Sequence, residues 1–280
     1  MTDPLTTLAT GRFGRAYRRL RDAALRPAYA LYRQRLRALV MRHPRPGHIA
    51  LIMDGNRRWA AREGFEDAGR GHQAGAEKAL QLLDWCADLG IREVTLWALS
   101  LENLERPPEE VATITDVATE ALEAIATGRR RTLVPIRLRV IGRRDQLPEG
   151  LRQAVDDSAD VSAEDGALQL TIALAYSGRD ELVEAFRATV REAVSAGTAT
   201  ADLPAAITPD AVEAHLYTHG STDPDLIIRT SGEVRLSGFL PWQSVYSEYY
   251  FCDAYWPAFR EIDFLRAIRT YQQRARRFGR

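Results

Sequence analysis

Lysine is almost absent: Lys78 is the only one among the 38 basic residues of the 280-residue chain. No G-x-x-x-x-G-K-[ST] string surrounds it, which excludes a lysine-based phosphate loop. Cysteine is nearly as scarce. Cys86 and Cys252 lie far apart, with no second thiol or histidine at metal spacing, so neither a disulfide framework nor a zinc site is expected and a reducing cytoplasm fits best. A dominant charge is missing too. The 38 basic residues cancel 38 acidic ones, which gives no whole-molecule field to draw nucleic acid; any anion site must be local. No apolar run reaches the ~18 residues of a membrane span, and the N-terminus lacks an apolar signal core, so a soluble protein is expected.

With 45% hydrophobic residues, the chain can bury one good core. The expected organisation is a basic helical arm over residues 1–47 and one main domain over 48–280. The arm carries eleven arginines against two acids. Tyr17, Leu20 and Ala24, then Leu31, Leu36 and Leu39, form a helical stripe that Pro27 divides. Such an arm either packs on its own domain or a dimer mate, or attaches peripherally to anionic lipid at the inner face of the plasma membrane.

From His48 onward, short β-rich runs alternate with helical stretches. Strands are predicted at 48–53, 93–100, 136–141, 168–175, 226–230 and 249–252. Helices are predicted at 74–89, 109–127, 150–161, 180–196, 209–217 and 263–277. This alternation implies an α/β fold: a single domain with a central, mostly parallel six-stranded sheet flanked by helices. Residues 142–148 and 197–208 read as mobile loops, and no internal repeat occurs.

Open α/β sheets bind ligands beyond the carboxyl ends of their strands. The first strand runs into Asp54-Gly55-Asn56-Arg57-Arg58-Trp59, where Gly55 permits a tight turn, Asp54 can hold a hard cation, and the arginines suit bidentate phosphate binding. The second ends in Ala98-Leu99-Ser100-Leu101-Glu102-Asn103-Leu104-Glu105-Arg106, a mixture able to meet an apolar tail and a polar head. The fifth delivers Arg229 and Arg235 into a glycine-punctuated loop with Ser231 and Ser237. Buried arginine is costly unless paired, and a diphosphate is a suitable partner. Glu248 follows in an aromatic stretch, either a metal ligand or a solvated group. Two other patterns carry less weight. Asp156-Asp157-Ser158-Ala159-Asp160 has the DDxxD form of all-helical prenyltransferases, but lacks a second aspartate cluster and reads as a solvated helix face. His215 and His219 lack a third ligand and read as helix-end surface residues.

Together, HIALIMDGNRRWA at 48–60, SLENLERP at 100–107 and DLIIRTSGEVRLSGFLPWQSVYSEYYF at 225–251 resemble the cis-prenyltransferase family. The resemblance implies a homodimeric α/β enzyme that uses Mg²⁺ to join isopentenyl diphosphate to an allylic diphosphate. It implies that Asp54 holds Mg²⁺ and takes part in catalysis, that Gly55, Asn56, Arg57 and Arg58 cradle the allylic diphosphate, and that Trp59 lies beside its first isoprene units. It implies further that Ser100 and Asn103 sit beside the reacting carbons, that His72, Leu104 and Arg106 contact substrate, that Arg229, Arg235 and Ser237 grip isopentenyl diphosphate, and that Glu248 reaches the metal of a dimer partner. The chain departs from the family pattern in having Arg57 in place of a glycine. It also has Asp67 or Ala68 in place of an arginine, for which Arg70 is the candidate substitute. Ala98, Leu99, Leu104, Ile114 and Leu168 are candidate channel-lining residues. The overall look is closest to actinobacterial short-chain (2Z,6E)-farnesyl diphosphate synthases, with a long-chain undecaprenyl or decaprenyl synthase, or a non-catalytic partner subunit, as the alternatives.

Overall fold

The computed structural model describes residues 12–127, 134–159 and 168–275. The chain divides into two units, Met1–Pro44 and Arg45–Arg280. In the first, α1 (Arg12–Met41) is one continuous helix with Pro27 inside it. The predicted division at Pro27 does not occur: proline removes a single backbone donor, and the surrounding Ala, Leu and Arg are strong helix formers.

The second unit is built on a six-stranded sheet in the order β3-β4-β2-β1-β5-β6. The strands are β1 (His48–Ile52), β2 (Glu93–Trp97), β3 (Ile136–Ile141), β4 (Leu168–Ala173), β5 (Leu226–Arg229) and β6 (Glu248–Phe251), and every pairing is parallel. Central β1 and β5 are buried along their whole length, as sequences covered on both faces require. Helices α2 (Asn56–Glu63), α3 (Gly69–Leu89), α4 (Pro108–Ala126), α5 (Glu149–Ala159), α6 (Gly178–Ser195), α7 (Leu203–Ala206), α8 (Pro209–Glu213) and α9 (Glu261–Ala275) complete the fold.

Several boundaries differ from the sequence prediction for local reasons. α3 starts earlier because the Asp67 carboxylate accepts the Gly69 N–H at 2.7 Å and opens the helix there. β2 stops at Trp97, after which the Ser100 side chain caps a 3₁₀ turn at Leu101–Glu105. α8 ends at Glu213, leaving His215 and His219 beyond it. The predicted ends of two helices, Val161 and Arg277, lie outside the described residues, as does Asp160. The two segments read as mobile loops carry helical turns instead: Arg144–Gln146 in one, Thr200–Asp202 and α7 in the other. Arg143 anchors the first by ion pairs to Asp145 and Asp180.

The topology locates the ligand crevice. β1 and β5 are neighbours, yet the chain leaves β1 towards β2 and leaves β5 towards β6. The two following loops part in opposite directions and open a gap at this switch point.

Candidate active site

Asp54 lies in that gap, two residues past β1. Its backbone N–H donates to Thr230 Oγ1 at 2.9 Å, and the Thr230 hydroxyl donates back to Asp54 O at 2.7 Å, tying the β1 and β5 ends together. Its carboxylate is shared. Arg229 Nη2 donates to Oδ2 and Arg58 Nη2 to Oδ1, each at 3.0 Å. Burial alone would raise the Asp54 pKa, but hydrogen bonds from Arg229, Ser231 and Arg58 outweigh it and hold the carboxyl below its usual range. Arg229 is buried; its Nη1 donates to Arg235 O at 2.5 Å and to Ser237 Oγ at 2.7 Å, while its Nε is buried without a partner. Arg58 also donates to Ser231 Oγ at 2.8 Å and pairs with Glu233, which in turn holds Arg235.

The backbone here is specialised. Gly55 has φ 103°, and a Cβ on it would lie 2.7 Å from Tyr255 Cδ1. Ser231 (φ 78°), Ser237 (φ 54°) and Leu240 (φ 48°) also take left-handed conformations, each costing on the order of 1–3 kcal/mol. The surrounding structure over-determines this loop. Trp97 stacks on Phe239 with centroids 5.1 Å apart, and the fully buried Glu181 accepts from Tyr176 Oη at 2.6 Å, Gln243 Nε2 at 3.1 Å and Tyr217 N at 3.0 Å. Burial raises the Glu181 pKa, partly countered by those bonds.

These residues line a cleft of about 620 Å³ that includes Asp54, Gly55, Asn56, His72, Ser100, Asn103 and five arginines: Arg57, Arg58, Arg106, Arg229 and Arg235. Met53, Asn56, His72, Ala98 and Ile114 also line a second, apolar cavity of about 100 Å³ between the sheet, α3 and α4, so the two adjoin along a shared wall. At their junction, Asn56 Oδ1 and His72 Nε2 are buried without a hydrogen-bond partner, and burial, then Arg106, lowers the His72 pKa.

Most of the predicted site residues thus converge. Ser100 and Asn103 do so as a reciprocal cap: Asn103 N–H donates to Ser100 Oγ at 3.2 Å and Ser100 N–H to Asn103 Oδ1 at 3.3 Å. Others stand apart. Trp59 packs against Phe65 outside the cleft lining, and Leu104 lines neither cavity. Neither do Leu99 and Leu168, which are buried in the core, or Arg70, which is exposed. Glu248 begins β6, level with Leu226 and so at the opposite end of the sheet from Asp54, and pairs with Arg274 at 3.0 Å. Asp156 and Asp157 lie on α5 away from the cleft, and His215 pairs with Glu192 at 2.7 Å. Sequence reading missed Glu110, Glu181 and Glu233, which organise the arginines and the loop. Among the described residues, no group of three His, Cys, Asp or Glu is placed to hold a metal ion.

An arginine-lined cleft adjoining an apolar pocket at an α/β switch point is a setting for phosphorylated, lipid-tailed ligands. Residues 52–279 match the prenyltransferase family model described for undecaprenyl diphosphate synthases. The chain belongs to this family. An isoprenyl transferase of Thermus thermophilus is 46% identical over 258 residues, covering 92% of this chain and 98% of that protein. The (2Z,6E)-farnesyl diphosphate synthase of Thermobifida fusca is 44% identical over 253 residues, covering 90% and 97%. The crystal structure of lavandulyl diphosphate synthase from Lavandula x intermedia with dimethylallyl diphosphate superposes with a TM-score of 0.74 at 33% identity, covering 81% of this chain and 95% of that one. As a prenyltransferase of this family, the chain belongs among enzymes that generally use a divalent metal. Among the described residues no helix is long and apolar enough to cross a membrane.

Proposed function

We propose that this prenyltransferase joins isopentenyl diphosphate to an allylic diphosphate, geranyl or farnesyl, and that its main product is the short (2Z,6E)-farnesyl diphosphate. The observation that carries this reading is the shared wall between the arginine-lined cleft and the small apolar cavity. One compartment suits two diphosphates and the other suits a tail. An engineered cavity of about 150 Å³ holds one benzene ring, so a pocket of about 100 Å³ takes at most about one isoprene unit before α3 and α4 yield. That narrowness supports a short product over a long one. The small Gly75, Ala76, Ala79, Ala98, Ala118 and Ala121 in the lining support the second reading, a long-chain synthase whose walls give way.

In this mechanism Arg58 and the backbone after Gly55 bind the allylic diphosphate, while Arg229, Arg235 and Ser237 bind isopentenyl diphosphate. A phosphate oxygen satisfies the orphaned Arg229 Nε. Asp54 offers one carboxylate, which fits Mg²⁺, an ion usually held by one or two carboxylates with substrate phosphates completing the shell. When bound, Mg²⁺ supplies positive charge to the leaving diphosphate. The arginines stabilise the same charge as the allylic carbon becomes cation-like, and the two anchored diphosphates orient the isopentenyl double bond for attack. Asn103 orients through its amide and carries no basic atom, so a diphosphate oxygen takes the proton lost from the isopentenyl carbon. Asn103→Ala at near wild-type turnover would remove Asn103 from the mechanism.

The enzyme works as a homodimer in this reading. The β6 edge and the exposed Val245 and Tyr246 beside it support a second copy there, and only another subunit could bring Glu248 to a metal at Asp54. The arginine-rich arm supports peripheral contact with anionic lipid, which cosedimentation with phosphatidylglycerol vesicles would detect. The deciding assay incubates purified protein with Mg²⁺, labelled isopentenyl diphosphate and geranyl or farnesyl diphosphate. A fifteen-carbon Z product supports the short-chain reading, fifty or more carbons the long-chain one, and no product a non-catalytic subunit.

A further inference from the structure

Glu110 has no place in the mechanism above, yet it controls two of the five cleft arginines. Its Oε1 accepts from Arg106 Nη1 at 2.8 Å and pairs with Arg57 Nη1 at 3.4 Å. Both guanidiniums line the cleft, whereas Glu110 itself stands behind them in the first turn of α4. The pairing differs in kind from Asp54 with Arg229. Arg229 is buried and fixed, whereas the Arg57 side chain is 55% exposed and Arg106 26%, so both can swing to another anion. Arg57 and Glu110 are therefore linked parts of the rim, and Arg106 bridges them to His72, whose pKa responds to Arg106, Glu110 and Arg57.

We propose that Glu110 is a positioning residue that parks Arg57 and Arg106 at the rim of the cleft and competes with incoming diphosphate for them. This rests on the reading of the cleft as a diphosphate site. A substrate whose apolar tail is buried in the adjoining cavity outcompetes Glu110. Inorganic diphosphate has no tail and does not, so the reaction's tailless product leaves readily. Glu110 thereby selects against bare anions at a site whose five arginines would otherwise retain them.

The test is calorimetric titration of the full-length protein with inorganic diphosphate and Mg²⁺, with steady-state kinetics alongside. Glu110→Gln keeps an acceptor for the guanidiniums and removes the competing charge. It is expected to bind inorganic diphosphate roughly five- to tenfold more tightly, a difference that shrinks at high salt, as for one charge removed a few Å from the ligand. Inhibition by inorganic diphosphate should strengthen by the same factor, and KM for the allylic diphosphate should fall while kcat stays within about twofold. Glu110→Asp retains the charge on a shorter stem and should fall between wild type and Glu110→Gln, which keeps the test open if the glutamine variant folds poorly. Unchanged or weaker diphosphate binding by Glu110→Gln, or the same affinity in Glu110→Asp as in wild type, overturns the proposal. A wild-type protein that binds no diphosphate overturns instead the functional reading on which it stands.

Discussion

Replacing Arg229 by lysine keeps the charge and removes the fork. The guanidinium makes three contacts at 2.5–3.0 Å, to Arg235 O, Ser237 Oγ and Asp54 Oδ2, from a buried position at the end of β5. A lysine ammonium is a point donor on a different stem and retains about one of them. Lysine also lacks the Nε that a phosphate oxygen would satisfy; losing that charge-assisted bond removes about 1.5–3 kcal/mol, or roughly ten- to a hundredfold in kcat/KM for isopentenyl diphosphate. The loss should fall on isopentenyl diphosphate more than on the allylic substrate, because Arg58 still serves the latter. The assay is initial-rate incorporation of labelled isopentenyl diphosphate with each substrate varied in turn, beside a thermal melt showing that the variant is folded. A folded Arg229→Lys enzyme within about threefold of wild-type kcat/KM would refute the assignment of Arg229 to the diphosphate.

Gly55→Ala should lower stability by about 1–3 kcal/mol, read as a shift in urea midpoint, and lower turnover with it, because φ 103° and the Tyr255 ring leave no room for a methyl group. Stability should also fall as pH drops below about 6.5. The His48 ring bonds Thr222 O at 2.7 Å and Thr95 Oγ1 at 2.9 Å, and burial lowers the pKa of His48 and of His72, so the unfolded chain takes up protons that the folded chain resists. Urea melts between pH 7.5 and 5 should show this slope, and His48→Gln should flatten it. If Glu248 serves the partner's site, equal amounts of inactive Asp54→Asn and Glu248→Gln chains, mixed and refolded, should recover about a quarter of wild-type activity, since half the dimers are hybrid and each has one intact site. No recovery would confine Glu248 to its own chain.

The sheet was legible because its strands are short, buried, apolar runs such as HIALI at 48–52 and LIIR at 226–229, a pattern that helices on both faces demand. The cleft was legible for the same reason: Asp54, Arg58 and Arg229 interrupt or follow apolar runs where only a ligand or a partner can justify the charge. The carboxylates behind the arginines were not. Glu110 has the look of any acid in a first helical turn, and Glu181 that of a solvated residue on α6, until folding brings Arg106 to one and Tyr176 to the other. Pro27 misled because its local cost is small beside thirty residues of favourable helix. Trp59 on α2 and Leu104 in the 3₁₀ turn sit within motif segments, but a motif fixes a chain position and not the side to which its side chain turns.

Asp54 and Arg229 are 175 residues apart in the chain and 3.0 Å apart in the fold. A ribosome therefore finishes nearly the whole polypeptide before the reactive pocket can exist. While β1, α3 and β2 emerge, the first half of the cleft carries Asp54 and Arg58 without their opposite wall, and β1 waits with one edge unpaired until β5 arrives. Catalytic competence is thus coupled to long-range pairing, a slow kind of folding step. A truncated or nascent chain lacking β5 holds no closed arginine ring, so the cell is spared partial products that could capture diphosphates without converting them.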